Sequence, residues 1–360
     1  MKKQSLLLLL NLFTVLSFIQ TDTFAQKGRL NIEAVDRLFS KYDTLQSSSV
    51  SIMIVENGKI CYNRSFGLAE IETGRKATAS TNYRIASVTK PFTAMAILML
   101  RDAGKLNLED PLTKFFPSIP AFGKQVTIQQ MLNHTSGLAG YGDFIAESTI
   151  EPLQDEDVLH MVEKQDSTRF QPGSEFSYSN TAYVLLGLIV EKVSGKSFAD
   201  FMKEHIFKPL QMDNSTLNSR TGVIANRAYG YNLIEGTLLR QDQSLYSYLL
   251  GDGGIYSSLT DFYKWDQALY SNKLVKKSTL KEMFMVSSHE TPDIGYGYGW
   301  YTEKRFGQER ISHSGGTTGF SSYYVRYPSK KFSIILFANQ DDGFAAEPFV
   351  NAIEQMYFGQ

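Results

Sequence analysis

A serine hydroxyl and a lysine amine stand three residues apart, at Ser87 and Lys90, within Ala86-Ser-Val-Thr-Lys-Pro-Phe92. The stretch runs into an apolar segment, Thr93 to Leu100, that ends at Asp102-Ala-Gly104. Read as a helix, it opens near Ser87 and stops at Gly104, a residue suited to the left-handed C-terminal position. Pro91 falls close to the first turn, where its missing N–H costs little. Val88, Phe92, Met95, Ala96, Leu98 and Met99 make the segment apolar almost all round, which predicts a buried helix rather than an amphipathic one. Positions i and i+3 share one helix face, so the hydroxyl and the amine can touch. A lysine in an apolar site loses proton affinity, because desolvation disfavours its charged form. A neutral amine beside a serine hydroxyl makes an activated nucleophile.

The tetrad alone is not specific. A second copy, Ser278-Thr-Leu-Lys281, sits among Lys276, Lys277 and Glu282 and reads as the solvated start of a surface helix. What sets Ser87 apart is its buried helix and two further elements downstream. The first is Gln171-Pro-Gly-Ser-Glu-Phe-Ser-Tyr178-Ser179-Asn180. Its Pro-Gly pair is a turn, Asn180 is an expected N-cap for a helix from Thr181, and Tyr178 can project into a cleft at that helix start. Another Tyr-Ser-Asn, at Tyr270 to Asn272, ends a helix, leads into lysines and reads as inert. The second element is His313-Ser-Gly-Gly-Thr317, between two strand-like runs. Small residues such as Gly315 and Gly316 let a substrate backbone lie against the strand edge. They also leave backbone N–H groups free as oxyanion donors.

The elements that must position these groups follow from periodicity. Asn31 to Gln46 has helical spacing through Ile32, Val35, Leu38, Phe39 and Tyr42. Ser49 to Glu56 and Lys59 to Phe66 are strand-like and joined by Asn57-Gly58, a strong hairpin signal. Helices are predicted over Val126 to Leu132, Asp155 to Lys164, Thr181 to Val193, Phe198 to Phe207 and Leu259 to Tyr270. Strands return at Tyr296 to Tyr301, Arg310 to His313, Phe320 to Tyr327 and Phe332 to Ala338, and Pro348 to Tyr357 closes as a helix. Strands at both ends with helices between them predict an α+β fold. One antiparallel sheet is built from the N- and C-terminal segments and flanked by helices, with a mainly helical region inserted at roughly 105–250. The cleft is expected where the two parts meet.

Composition bounds the function. The chain has 360 residues, 36 basic against 37 acidic, so nothing points to nucleic acid. A hydrophobic content of 42% suits one large domain or two interlocked ones. The single cysteine, Cys61, excludes an intrachain disulfide and reads as a small hydrophobe in a strand. Lys2-Lys3, the apolar run from Leu6 to Ile19 and the small residues at Thr23-Phe-Ala25 have the form of a secretory signal peptide over residues 1–25. Asn11, Thr14 and Ser17 break that run, so no stable membrane insertion is expected after cleavage. A periplasmic or secreted bacterial location is expected, with residues 26–360 as the mature domain. No Gly-x-Ser-x-Gly elbow and no His-Glu-x-x-His spacing occurs. The five histidines, 134, 160, 205, 289 and 313, are therefore not read as metal ligands, and His134 and His313 read as hydrogen-bonding residues. No metal or organic cofactor is implied. The expected partner is a small-molecule or peptide substrate, and the sequence is silent on oligomeric state.

In order and spacing the three elements resemble the serine β-lactamase and penicillin-binding protein superfamily, with Ser-x-x-Lys among its signatures. The Tyr-x-Asn form of the second element is similar to the class C β-lactamase-related branch. That branch includes D-Ala-D-Ala carboxypeptidases, esterases and D-amino-acid peptidases. Gly104-Lys-Leu-Asn-Leu-Glu-Asp-Pro111, Leu132-Asn-His-Thr-Ser-Gly-Leu138 and Gly253-Gly-Ile-Tyr-Ser-Ser258 resemble it too. The resemblance implies a β-lactamase/transpeptidase-like fold and a serine hydrolase acting through an acyl-enzyme. By it Ser87 is the nucleophile, Lys90 and Tyr178 share the general-base work, and Asn180 bonds Lys90 and the substrate. The backbone N–H groups of Ser87 and Gly316 form the oxyanion hole, with Gly315 and His313 on the same substrate-binding strand. His313 departs from the lysine that β-lactamases of the branch carry. A histidine is mostly neutral at pH 7 and gives a substrate carboxylate little fixed charge. The expectation is an esterase or a D-amino-acid or D-Ala peptidase. The alternative is a β-lactamase, or a penicillin-binding sensor that acylates without efficient turnover.

Overall fold

The computed structural model describes residues 30–359; the signal-peptide reading of residues 1–25 lies outside them. Alternating apolar residues build a sheet buried on both faces. In the strand Val50–Glu56, Ile52 and Ile54 join one core with Val35, Phe39, Val350 and Ile353. Met53 and Val55 join the other, with Phe92, Met95, Phe262 and Trp265. Phe332–Ala338 divides the same way, Ile334 and Leu336 against Ile335 and Phe337. Successive strand side chains point to opposite faces, so a strand covered on both sides reads as one continuous apolar run.

The sheet has eight strands, all paired antiparallel. Their order is Ser288–His289, Gly295–Tyr296, Tyr301–Arg305, Gln308–Thr317, Phe320–Tyr327, Phe332–Ala338, Val50–Glu56 and Lys59–Phe66. The N-terminal hairpin thus docks on the last strand, with Val50 opposite Ala338. Asn57 and Gly58 turn that hairpin at φ +52° and +76°, the left-handed pair a tight two-residue turn requires. The terminal helices Ile32–Phe39 and Ala346–Phe358 share the core on one face. The other face carries the helical part, including Lys90–Asp102, Asn180–Ser194 and Leu259–Ala268. This is the α+β arrangement expected of the sequence.

Four details differ from expectation. The first helix stops at Phe39 and tightens into a 3-10 turn, Ser40–Tyr42. The strand expected over Tyr296 to Tyr301 is interrupted. Gly299 takes φ +81°, and a Cβ there would lie 3.0 Å from the Lys90 carbonyl, so the chain turns against the start of the buried helix. Within the helical region, Tyr231–Ile234 pairs with Thr237–Arg240, and Thr216–Leu217 joins Ile255–Ser257 and Tyr83–Arg84, which lie outside that region, in a three-stranded sheet. Cys61 lies in the edge strand Lys59–Phe66 but on its exposed side, with Sγ 3.4 Å from the Ile54 carbonyl. No helix among the described residues is long and apolar enough to cross a membrane.

Candidate active site

The strand Tyr83–Arg84 delivers the chain to Ala86, which takes φ +48°. That region is costly for a residue with a Cβ and is held only where the surroundings over-determine it. A 3-10 turn, Ala86–Thr89, follows, and the α-helix proper begins at Lys90. The turn leaves Ser87 half-buried at a cleft while Lys90 is wholly buried. Lys90 Nζ lies 3.0 Å from Ser87 Oγ, 2.8 Å from Asn180 Oδ1 and 2.9 Å from the Asp252 carbonyl. Three acceptors satisfy an ammonium; a neutral amine would donate to the two carbonyl oxygens and turn its lone pair to the serine hydroxyl. Burial pulls the Lys90 pKa down to about 8, against the opposing pull of the Asp252 charge.

Asn180 reaches this lysine because it is not the helix cap. Ser179 caps Asn180–Ser194 instead, its Oγ accepting the Ala182 N–H at 3.1 Å. Asn180 is then the first helical residue and its amide is free to face inward. Tyr178, just outside the helix, stands beside this pair, its ring centroid 4.8 Å from Lys90 Nζ. Burial pushes the phenol well above its usual pKa, so it stands protonated.

The strand Gln308–Thr317 closes the other side. A Cβ on Gly315 would lie 2.5 Å from the Ile85 carbonyl and 3.0 Å from Ser87 N. Only glycine lets the strand approach the serine turn this closely. Gly316 instead faces open space. It lines a cleft of about 200 Å³ with Ser87, Tyr141, Asn180, Asp252 and Thr317. The structure therefore brings Ser87, Lys90, Tyr178, Asn180, Gly315 and Gly316 together. His313 lies behind them: it is buried, with Nδ1 2.6 Å from the Ser314 carbonyl and Nε2 3.2 Å from Tyr296 Oη. Burial first and the Lys90 charge second push its pKa down to about 3, so it is neutral.

Sequence reasoning missed the third partner of Lys90. Asp252 sits in Gly251-Asp-Gly-Gly254, a turn pinned by Thr93 Oγ1 to the Gly251 carbonyl at 2.6 Å. A Cβ on Gly251 would fall 2.3 Å from the Tyr183 carbonyl, so the glycine run was the available signal. The Asp252 carboxylate itself accepts the Tyr141 hydroxyl at 3.0 Å.

This constellation has counterparts in known proteins. The beta-lactamase family model matches residues 35–354. The chain belongs to the beta-lactamase family. Penicillin-binding protein 4* of Bacillus subtilis is 34% identical over 328 residues, 86% of this chain and 72% of that protein. Protein flp of Staphylococcus aureus is 30% identical over 298 residues, 80% of this chain; the chain spans 59% of its length. Among solved structures, the octameric penicillin-binding protein homologue from Pyrococcus abyssi superimposes with a TM-score of 0.81 at 28% identity, covering 92% of this chain and 78% of that one. Members of the family with this fold are serine hydrolases.

Proposed function

We propose that this beta-lactamase family member is an exported serine hydrolase that cleaves an ester, amide or peptide bond through a Ser87 acyl-enzyme. The type would be an esterase or a D-amino-acid or D-Ala peptidase. The observation that carries the reading is the Lys90 amine, buried, bonded to Ser87 Oγ and held at a pKa of about 8. At pH 7 about a tenth of such an amine is neutral, and at pH 8 about half. The neutral form takes the Ser87 proton as Oγ bonds the acyl carbon. Tyr178, resting protonated, gives its proton to the leaving group and is reprotonated from the Lys90 ammonium. Water then releases the acyl group by the reverse route. The Ser87 and Gly316 N–H groups hold the developing oxyanion, which typically contributes about 3–4 kcal/mol per donor.

The neutral His313 favours substrates without a carboxylate. The test is a hydrolysis panel on protein recovered from the cell envelope, its N-terminus expected at Gln26. The panel holds a p-nitrophenyl ester, nitrocefin, a D-Ala-D-Ala peptide and a D-amino-acid amide. The ester is expected to turn over faster than nitrocefin, with a fluorophosphonate adduct on Ser87 by mass spectrometry. No turnover together with an adduct elsewhere would end the reading. A burst on the β-lactam without steady-state hydrolysis would replace it with the non-turnover binding reading.

A further inference from the structure

His134 follows the short helix Ile128–Leu132, at φ +61°, and is fully buried. Three contacts tie it to three consecutive residues. Its carbonyl accepts the Ser177 N–H at 2.8 Å. Its Nδ1 accepts the Ser179 N–H at 3.0 Å. Between them, its ring centroid lies 4.3 Å from that of Tyr178, at 34°. Because Nδ1 accepts, the ring proton is on Nε2. That N–H meets no acceptor, and the rings of Phe176, Tyr183 and Tyr296 pack against the imidazole. Burial and then the Lys90 charge hold the imidazole well below its usual pKa, so it is neutral.

A histidine whose role was only to fill space would not need to accept one neighbour's N–H, offer its carbonyl to another and lay its ring on the residue between. Tyr178 precedes the helix, where a loop residue has several rotamers and a free phenol can swing into solvent. We infer that His134 is a positioning residue that holds the Tyr178 phenol at Ser87 and Lys90. The inference rests on the reading that Tyr178 moves a proton in the reaction. Placement matters at this scale, since a shift of about 1 Å in a reacting group can cost about a hundredfold in rate.

Two substitutions separate the contacts. His134→Asn keeps an acceptor on the same Cγ and tolerates the left-handed backbone, but removes the ring. His134→Phe keeps the ring and removes the acceptor. The experiment is a double-mutant cycle of each against Tyr178→Phe, measuring kcat and KM for the best ester in the panel, with a melting curve for each protein. His134→Phe should lower kcat roughly tenfold to a hundredfold and leave KM within about twofold. His134→Asn should lose less. In the Tyr178→Phe background, either substitution should change kcat by less than about threefold, because the group being positioned is gone. Full, additive loss in that background would overturn the positioning role. If His134→Phe fails to fold, the His134→Asn cycle decides by the same criterion. A Tyr178→Phe enzyme with undiminished kcat would overturn the proton-transfer reading of Tyr178, and the inference with it, while leaving the Ser87 acyl-enzyme standing.

Discussion

The chain writes the same tetrad twice, and the two copies lead opposite lives. Ser87-Val-Thr-Lys90 and Ser278-Thr-Leu-Lys281 both place a hydroxyl and an amine at i and i+3. Ser278 and Lys281 are exposed on the surface helix Lys277–Phe284. Lys90 is wholly buried, bonded to three oxygens and lowered to about 8. The Tyr-Ser-Asn pairs differ in the same way: the Tyr178 ring centroid lies 4.8 Å from Lys90 Nζ, while the Tyr270 ring lies under the Arg326 guanidinium, 4.2 Å away. Residue type and spacing are common to both copies; desolvation and a third partner set Lys90 apart.

The largest expected effect tests that contrast directly. Lys90→Ala should reduce kcat/KM on the panel ester by about 10²–10⁴ or more, the usual contribution of a positioned base. Lys281→Ala and Ser278→Ala should stay within about twofold, as solvated surface changes do. A large loss from Lys281→Ala, or retained activity in Lys90→Ala, would erase the distinction between the copies.

The next effect concerns the strand edge. His313 is neutral and buried, so a carboxylate-bearing substrate meets no fixed cation from it. The longer side chain of His313→Lys brings a cation towards the edge at Gly316. A charge-assisted contact contributes about 1.5–3 kcal/mol, or roughly tenfold to a hundredfold at about 1.4 kcal/mol per decade. The quantity to compare is the kcat/KM ratio of a β-lactam to a neutral ester in the two proteins. The ratio cancels the like-charge effect that the new cation exerts on Lys90. An unmoved ratio would mean that charge at this position does not set the preference.

Much of this was legible because it depends on local pattern. Asn57-Gly58 between two strand-like runs announced the N-terminal hairpin, and an all-round apolar segment announced the buried helix behind Ser87. What stayed hidden depends on contacts between distant segments. The oxygen that Asp252 offers Lys90 belongs to the backbone, so no residue type reports it. Ala86 is driven to φ +48° by its surroundings, against the preference of alanine. Asn180 is a good cap by type, yet Ser179 takes that role and releases the amide to the lysine. The clamp of His134 on Tyr178 joins residues 44 apart in sequence. The two-residue strands Tyr83–Arg84 and Thr216–Leu217 are set by the partner Ile255–Ser257 rather than by their own propensity.

The smallest effect sharpens the comparison from inside the site, between two buried aspartates. Asp252 offers Lys90 its carbonyl at 2.9 Å, and its negative charge holds the lysine pKa up against desolvation. Asp155 is also buried, its Oδ1 accepting the Leu250 N–H at 2.9 Å, and burial raises its pKa as it does that of Asp252, but its carboxyl is not among the charges that act on Lys90. Asp252→Asn keeps the shape and removes a charge that favours the ammonium. The Lys90 pKa should therefore fall further below 10.5 than it already stands. Activity that needs the neutral amine rises with pH through the lysine pKa, so the acid limb of kcat/KM, expected near 8 in the wild type, should move to lower pH. Asp155→Asn changes a carboxyl that does not act on Lys90 and should leave the limb in place. The measurement is kcat/KM for the neutral ester from pH 5 to 10 in all three proteins. A limb that moves to higher pH in Asp252→Asn, or moves equally in Asp155→Asn, would mean that the titrating group is not the lysine between Ser87, Asn180 and Asp252.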